Sequence, residues 1–179
     1  ELEEVLAQAD AVRRHAAVAP YLSGGRFELS LEWTDKASEL RCKGRLDWWH
    51  QDTRTLIDLK GTNTIHAHYF GRIAARQGYH CQLAHYGNGI RAISGKPPAK
   101  TMLVAVLTRP PFDVAAFVLD DDDLYAGEEE VAELLKRLSD CRALNVWPGM
   151  HPFETPLKLP PYIWGDEEDP TDLGVAFGS

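Results

Sequence analysis

The sequence predicts an α/β domain, a mixed central β-sheet flanked by helices, and three observations predict it. Phe27, Leu29, Leu31 and Trp33 alternate with Glu28, Ser30 and Glu32, the period-two pattern of a half-buried strand. The runs Cys42 to His50 and Thr55 to Lys60 then read as two further strands, joined by the polar turn Gln51-Asp52-Thr53-Arg54. Stretches of helical spacing stand before and after these three strands, so helices have a sheet to pack against.

The elements follow in order. Leu2, Val5, Leu6, Ala9 and Val12 are spaced as the apolar face of a helix over residues 1 to 18, which stops before Pro20. Gly24-Gly25 turns the chain into the first strand, and the hairpin follows. Residues from about His66 to Ala92 read as helix interrupted at Gly78, with Gly87-Asn88-Gly89 as an earlier stopping point. After the loop Gly95 to Ala99, Met102 to Leu107 and Val114 to Leu119 form two more strands around Arg109-Pro110-Pro111. Asp120 to Asp123 open a last helix, where acids complement the dipole, and Val131, Leu134, Leu135 and Leu138 share one face. From Trp147 onward, prolines at 148, 152, 156, 160, 161 and 170 mark an extended arm over 147–179. The remainder reads as one domain, with no internal repeat.

Composition narrows the function. With 179 residues, 44% of them apolar and 26% charged, the chain suits a single globular domain. No apolar run approaches the roughly 20 residues a membrane-crossing helix needs, and no leader pattern opens the chain, so a cytoplasmic location without membrane contact is expected. Cys42, Cys81 and Cys141 are three and widely spaced, which argues against a disulfide framework and a Cys-rich metal site, and for reduced, mostly buried thiols. The net charge of −8 counts against a nucleic-acid partner, but the acids gather in the second half while Lys36, Arg41, Lys43, Arg45, Lys60, Arg72, Arg76 and Arg91 lie in the first. A basic working face beside an acidic flank is the expectation.

The chemistry concentrates in the hairpin. If its turn is centred between Asp52 and Thr53, Arg45 faces Lys60, Asp47 faces Asp58 and Trp48 faces Ile57. Opposed side chains stand roughly 5 Å apart, and like charges there repel, so a divalent cation between Asp47 and Asp58 is the natural counter-charge. Asp58 and Lys60 share one strand face, Ile57 and Leu59 the other, and the register places Lys43, Arg45 and Asp47 on the face of Asp58. Two carboxylates with the carbonyl of Leu59 make an oxygen shell suited to Mg²⁺, with Glu28 on the first strand as a further ligand or supporting group. Such an ion polarises a phosphoryl oxygen and makes hydroxide available near neutral pH, while Lys60 orients the water or neutralises developing charge. Read without function, the same residues are a surface hairpin with a Lys60–carboxylate ion pair.

Taken together, Gly44-Arg45-Leu46-Asp47, Ile57-Asp58-Leu59-Lys60-Gly61-Thr62 and Tyr79-His80-Cys81-Gln82-Leu83-Ala84-His85-Tyr86 resemble the PD-(D/E)XK nuclease superfamily, and within it the exonuclease VIII type of phage recombination exonuclease. The likeness runs from about Ala11 to Trp164. It implies a restriction-endonuclease-like αβββαβ core, Mg²⁺ (with Mn²⁺ able to substitute) on Asp47, Asp58 and the carbonyl of Leu59, and a catalytic Lys60. It also implies that Gln82 and Tyr86 work beside the site; their spacing of four puts both on one helical face. Arg45 is a candidate DNA contact. The family's first motif, Gly-x-x-x-His, is not matched, because Ala11 stands four residues before His15; the role is not carried onto His15, and the histidine is expected upstream of Glu1. The implied function is a Mg²⁺-dependent deoxyribonuclease, an exonuclease at double-stranded DNA ends in recombination or repair. A bacterial or phage-encoded chain, a homo-oligomeric ring around DNA and a single-strand annealing partner go with it. The alternatives are a DNA-binding or assembly module with an incomplete nuclease centre and a structure-specific endonuclease.

Overall fold

The structure, a computed structural model, describes residues 2–151 and 153–159. The chain divides into two compact units, Glu1–Ala143 and Leu144–Ser179. The first carries the sheet: α1 (Leu2–Arg14), α2 (Ala19–Leu22), β1 (Arg26–Thr34), β2 (Arg41–His50), β3 (Thr55–Thr62), α3 (Ala67–Arg76), α4 (Tyr79–Ser94), β4 (Lys100–Leu107), β5 (Val114–Val118) and α5, which runs from Asp121 to Leu144. In the second unit the described residues from 147 are exposed and contain neither helix nor strand. Most of the expected proline-rich arm lies outside the described residues. Among the described residues no helix is long and apolar enough to cross a membrane.

The five strands are ordered β1-β2-β3-β4-β5, with β3 and β4 parallel and the other neighbours antiparallel. The mixed sheet expected from sequence is therefore present. A parallel pair cannot be closed by a tight turn, and α3 and α4 supply the crossover between β3 and β4. At the centre, β4 reads Lys-Thr-Met-Leu-Val-Ala-Val-Leu and is buried from Thr101 to Val106, as a strand covered on both faces must be.

Each sheet face has its own apolar layer. On one, Leu46, Trp49, Leu56, Leu103 and Ala105 pack with Phe70 of α3 and with Leu83 and Ile90 of α4, and Leu124 of α5 joins them. On the other, Ile57, Met102, Val104, Val106 and Val114 pack with Val12 and Val18 beside α1 and α2.

Four sequence expectations change. The helix expected over residues 1 to 18 ends at Arg14, and Ala19–Leu22 forms a separate short helix that carries Pro20 in its first turn, where a missing N–H costs nothing. Gly87-Asn88-Gly89 does not end α4, which continues to Ser94; a Cβ at Gly89 would stand 2.7 Å from the Trp33 ring, so the glycine is there for close packing against β1. The gap between α3 and α4 is real, and Gly78 fills it at φ 65°, a left-handed conformation that costs glycine nothing. The expected apolar face of α5 is covered unevenly: Val131 is buried, Leu135 and Leu138 are half-buried and Leu134 is exposed, while Leu124 joins the sheet layer and Gly127 packs against α4. Of the three thiols only Cys42 is buried; Cys81 and Cys141 are half-buried.

Candidate active site

The hairpin register is the expected one where the ladder exists. Trp48 pairs with Ile57, Trp49 with Leu56 and His50 with Thr55, and there the β2–β3 ladder ends. Beyond it the two strands part into a fork, with Asp47 on one prong and Asp58 on the other. Instead of a ladder bond, the N–H of Leu59 donates to Asp47 Oδ2 at 2.8 Å. The N–H and C=O of one strand residue leave on the same side, so the Leu59 carbonyl is directed into the same gap.

The fork coincides with a change of faces in β1 and β2. Leu29 and Leu46 belong with the α4-side layer, whereas Trp48, on which Phe27 stacks, belongs with the opposite one. Between the pairs Phe27–Trp48 and Leu29–Leu46, Glu28 takes φ 52°, a left-handed conformation that non-glycine residues adopt rarely. This corrects the single shared face expected for Arg45, Asp47, Asp58 and Lys60. A Cβ at Gly44 would lie 2.8 Å from the Tyr86 ring and Leu46 packs against α4, so Arg45, between them, is on the other face. Glu28 ion-pairs with Arg45 there. Leu59, expected to back the cluster, is instead 45% exposed.

Asp58, Lys60 and Gln82 form one bonded unit on the α4 side. Asp58 is 1% exposed, and its Oδ1 accepts from Gln82 Nε2 at 3.0 Å. Its Oδ2 lies 2.6 Å from Lys60 Nζ, an ion pair whose carboxylate is nearly inaccessible. Lys60 Nζ also donates to Gln82 Oε1 at 3.0 Å and sits 4.5 Å above the Tyr79 ring. Gln82 Nε2 further donates to Tyr86 Oη at 3.1 Å, and Tyr86 in turn packs over Gly44. Tyr79, Gln82 and Tyr86 recur at three and four residues along α4, which brings them to one face. Sequence reasoning missed Tyr79, although that same spacing contains it.

Burial pushes the Asp58 carboxyl above the usual carboxylate range, Lys60 opposes the shift, and the charge of Asp47 adds to it. The site thus holds more negative charge than Lys60 alone relieves. Two carboxylates, one of them nearly inaccessible, and a backbone carbonyl make a hard donor set that fits a small divalent cation such as Mg²⁺. His15 lies just past α1, whose Val12 packs in the layer opposite Gln82, and its buried Nδ1 has no hydrogen bond.

The family model described as "PDDEXK-like domain of unknown function" (DUF3799) matches residues 2–151. No curated protein matches the sequence. Among solved structures, the chain is similar to the "Putative exonuclease" of Eubacterium rectale, with TM-score 0.61 and 15% identity over 80% of this chain and 53% of that one. It spans about half the length of that protein. A phage related exonuclease from Haemophilus somnus 129PT aligns with TM-score 0.49 and 13% identity, over 80% of this chain and 71% of that one.

Proposed function

Because the chain belongs to the PDDEXK-like domain family of unknown function, we propose that it is a Mg²⁺-dependent deoxyribonuclease, an exonuclease at double-stranded DNA ends working in recombination or repair. One observation carries this reading: a nearly inaccessible Asp58 carboxylate beside Lys60, set in a fork that also holds Asp47 and the Leu59 carbonyl. Asp47, Asp58 and the Leu59 carbonyl would hold the ion, with Mn²⁺ able to replace it. When bound, the cation supplies charge stabilisation at a phosphoryl oxygen and makes water more acidic. Glu28, a further candidate ligand, is engaged through one oxygen with Arg45.

The protein's own groups do the rest. Lys60, fixed by Asp58, Gln82 and the Tyr79 ring, offers its ammonium to the negative charge that grows on the phosphate during attack. Gln82 ties Asp58 to Lys60 and keeps both in place before substrate arrives. Tyr86 holds Gln82, and Arg45, exposed and two residues from Asp47, is the phosphate contact. A homo-oligomeric ring and a single-strand annealing partner complete the proposal.

The test is a Mg²⁺ titration against end-labelled linear and closed circular duplex. Hydrolysis of the linear form alone is expected, and Asp58→Ala or Lys60→Ala should abolish it while duplex binding persists. Cleavage unchanged in those variants refutes the assigned centre. Binding without hydrolysis at any Mg²⁺ or Mn²⁺ concentration makes the chain a DNA-binding module, and equal cleavage of circles makes it an endonuclease.

A further inference from the structure

Outside the fork, one cluster brings three metal-binding side chains together. His80 and Cys81 lie in the first turn of α4, and Glu130 comes from α5. Cys81 Sγ is 3.1 Å from Glu130 Oε2 and 3.4 Å from His80 Nε2, and His80 Nε2 is 3.6 Å from Glu130 Oε2. It is the one such trio of His, Cys and acidic groups among the described residues.

These separations are those of a coordination shell. Zinc binds sulfur at about 2.3 Å and imidazole nitrogen or carboxylate oxygen at about 2.0 to 2.1 Å; at the tetrahedral angle this puts S and N, or S and O, about 3.5 Å apart and N and O about 3.3 Å apart. The observed triangle departs from that by no more than a few tenths of an ångström. The three ligand atoms already stand within 4.8 Å of one another.

The backbone is shaped for this approach. A Cβ at Gly127 would stand 2.6 Å from the carbonyl oxygen of His80, so only glycine lets α5 come this close to the first turn of α4. Glu130 follows Gly127 by three residues on the same face of α5. The contact is also open enough for an ion to enter, since the side chains of His80 and Glu130 are 24% and 58% exposed.

We propose that His80, Cys81 and Glu130 form a zinc site, separate from the acidic fork, that pins α5 to the first turn of α4. A soft thiolate with imidazole and one carboxylate suits Zn²⁺ over Mg²⁺, and three protein ligands leave the fourth position to water. On binding, the S–H bond of Cys81 breaks, its proton passes to solvent and the sulfur–zinc bond forms. Without metal, burial and Glu130 hold the Cys81 thiol up to about 11, so it stays protonated and donates to the carboxylate. The same turn carries Tyr79 and Gln82, so the ion braces the residues that hold Lys60.

The probe is Co²⁺, titrated into the full reduced chain with excess Mg²⁺ and then displaced by Zn²⁺. One Co²⁺ per chain with sulfur-to-cobalt charge-transfer absorption is expected, lost in Cys81→Ser and retained in Cys141→Ser. Glu130→Gln, at an exposed position that should fold normally, should weaken Zn²⁺ by more than the roughly 10- to 100-fold that loss of an outer partner costs. Asp58→Ala should keep the band, which separates this site from the nuclease reading. Absence of thiolate absorption, or a band that survives Cys81→Ser, overturns the proposal. If Cys81→Ser does not fold, Zn²⁺ affinity unchanged in Glu130→Gln overturns it equally.

Discussion

Replacing Gln82 by Ala removes three hydrogen bonds at once: Nε2 to Asp58 Oδ1 at 3.0 Å, Nε2 to Tyr86 Oη at 3.1 Å, and Lys60 Nζ to Oε1 at 3.0 Å. The three are not equal in consequence. The Lys60 side chain is 18% exposed, so water can replace its lost acceptor, and a hydroxyl such as that of Tyr86 costs little when rehydrated. Asp58 is 1% exposed and has no such recourse, so the variant strands Oδ1 and leaves Oδ2 to Lys60 alone. A stranded charged acceptor costs about 1–3 kcal/mol or more; with the partial losses at Lys60 and Tyr86 the destabilisation should reach about 2–4 kcal/mol. In a chain of this size that lowers the melting temperature by about 5–15 °C. Urea unfolding at pH 7 in EDTA measures it directly. Gln82→Glu is the comparator: it can still accept from Lys60 but sets a third carboxylate beside Asp58, so it should be destabilised in EDTA and regain more stability from Mg²⁺ than wild type does. If Gln82→Ala unfolds within about 0.5 kcal/mol of wild type, the bridging role assigned to Gln82 is wrong.

Three further outcomes are expected. The folded-state pKa of Asp58 is raised above its ordinary value of 3.8, so its contribution to stability is present below that pH and lost as pH rises through the raised value. In cation-free buffer, therefore, Asp58→Asn should gain on wild type as pH increases through that window; a difference independent of pH counts against the burial argument. Gly44→Ala forces a methyl to 2.8 Å from the Tyr86 ring and should cost about 1–3 kcal/mol while shifting the Tyr86 ring resonances in NMR spectra. Leu83→Ala empties a position 1% exposed beneath the site and should cost about 2–5 kcal/mol in urea unfolding, with duplex affinity retained at temperatures where the variant stays folded.

The order of the long elements was legible because β1 alternates in period two, β4 is an unbroken apolar run and the long helices repeat apolar residues at helical spacing, whereas the short α2 at Ala19–Leu22, with Pro20 in its first turn, was not foreseen. The pairing of Trp48 with Ile57 followed from the position of the turn alone. What lay beyond that pair did not. Alternation reasoning assumes that a strand keeps its faces, and the reversal between Leu46 and Trp48 breaks this at the point where the acids stand. Nothing about glutamate announces a left-handed backbone at Glu28. Gly87 and Gly89 were misleading for a related reason: glycine signals a stop in isolation, but Gly89 sits under Trp33, a partner far away in the chain. Gln82 and Tyr86 were visible through their motif, whereas Tyr79 matters only because Lys60 comes to rest above its ring. The approach of Glu130 to Cys81 joins residues too far apart for any spacing rule to connect.

The parting of β2 from β3 divides the acids between two supports. Asp58 stands with Lys60 and Gln82 as one braced assembly, while Asp47 sits on the neighbouring prong and is joined to β3 by the hydrogen bond from the Leu59 N–H. The distance across the opening is therefore governed by how wide the prongs stand, with the short run of paired residues from Trp48 to His50 acting as the pivot. Changes at the far end of the hairpin, remote from any reacting group, would reach the acids as a change in spacing, much as squeezing the handles of tweezers moves the tips.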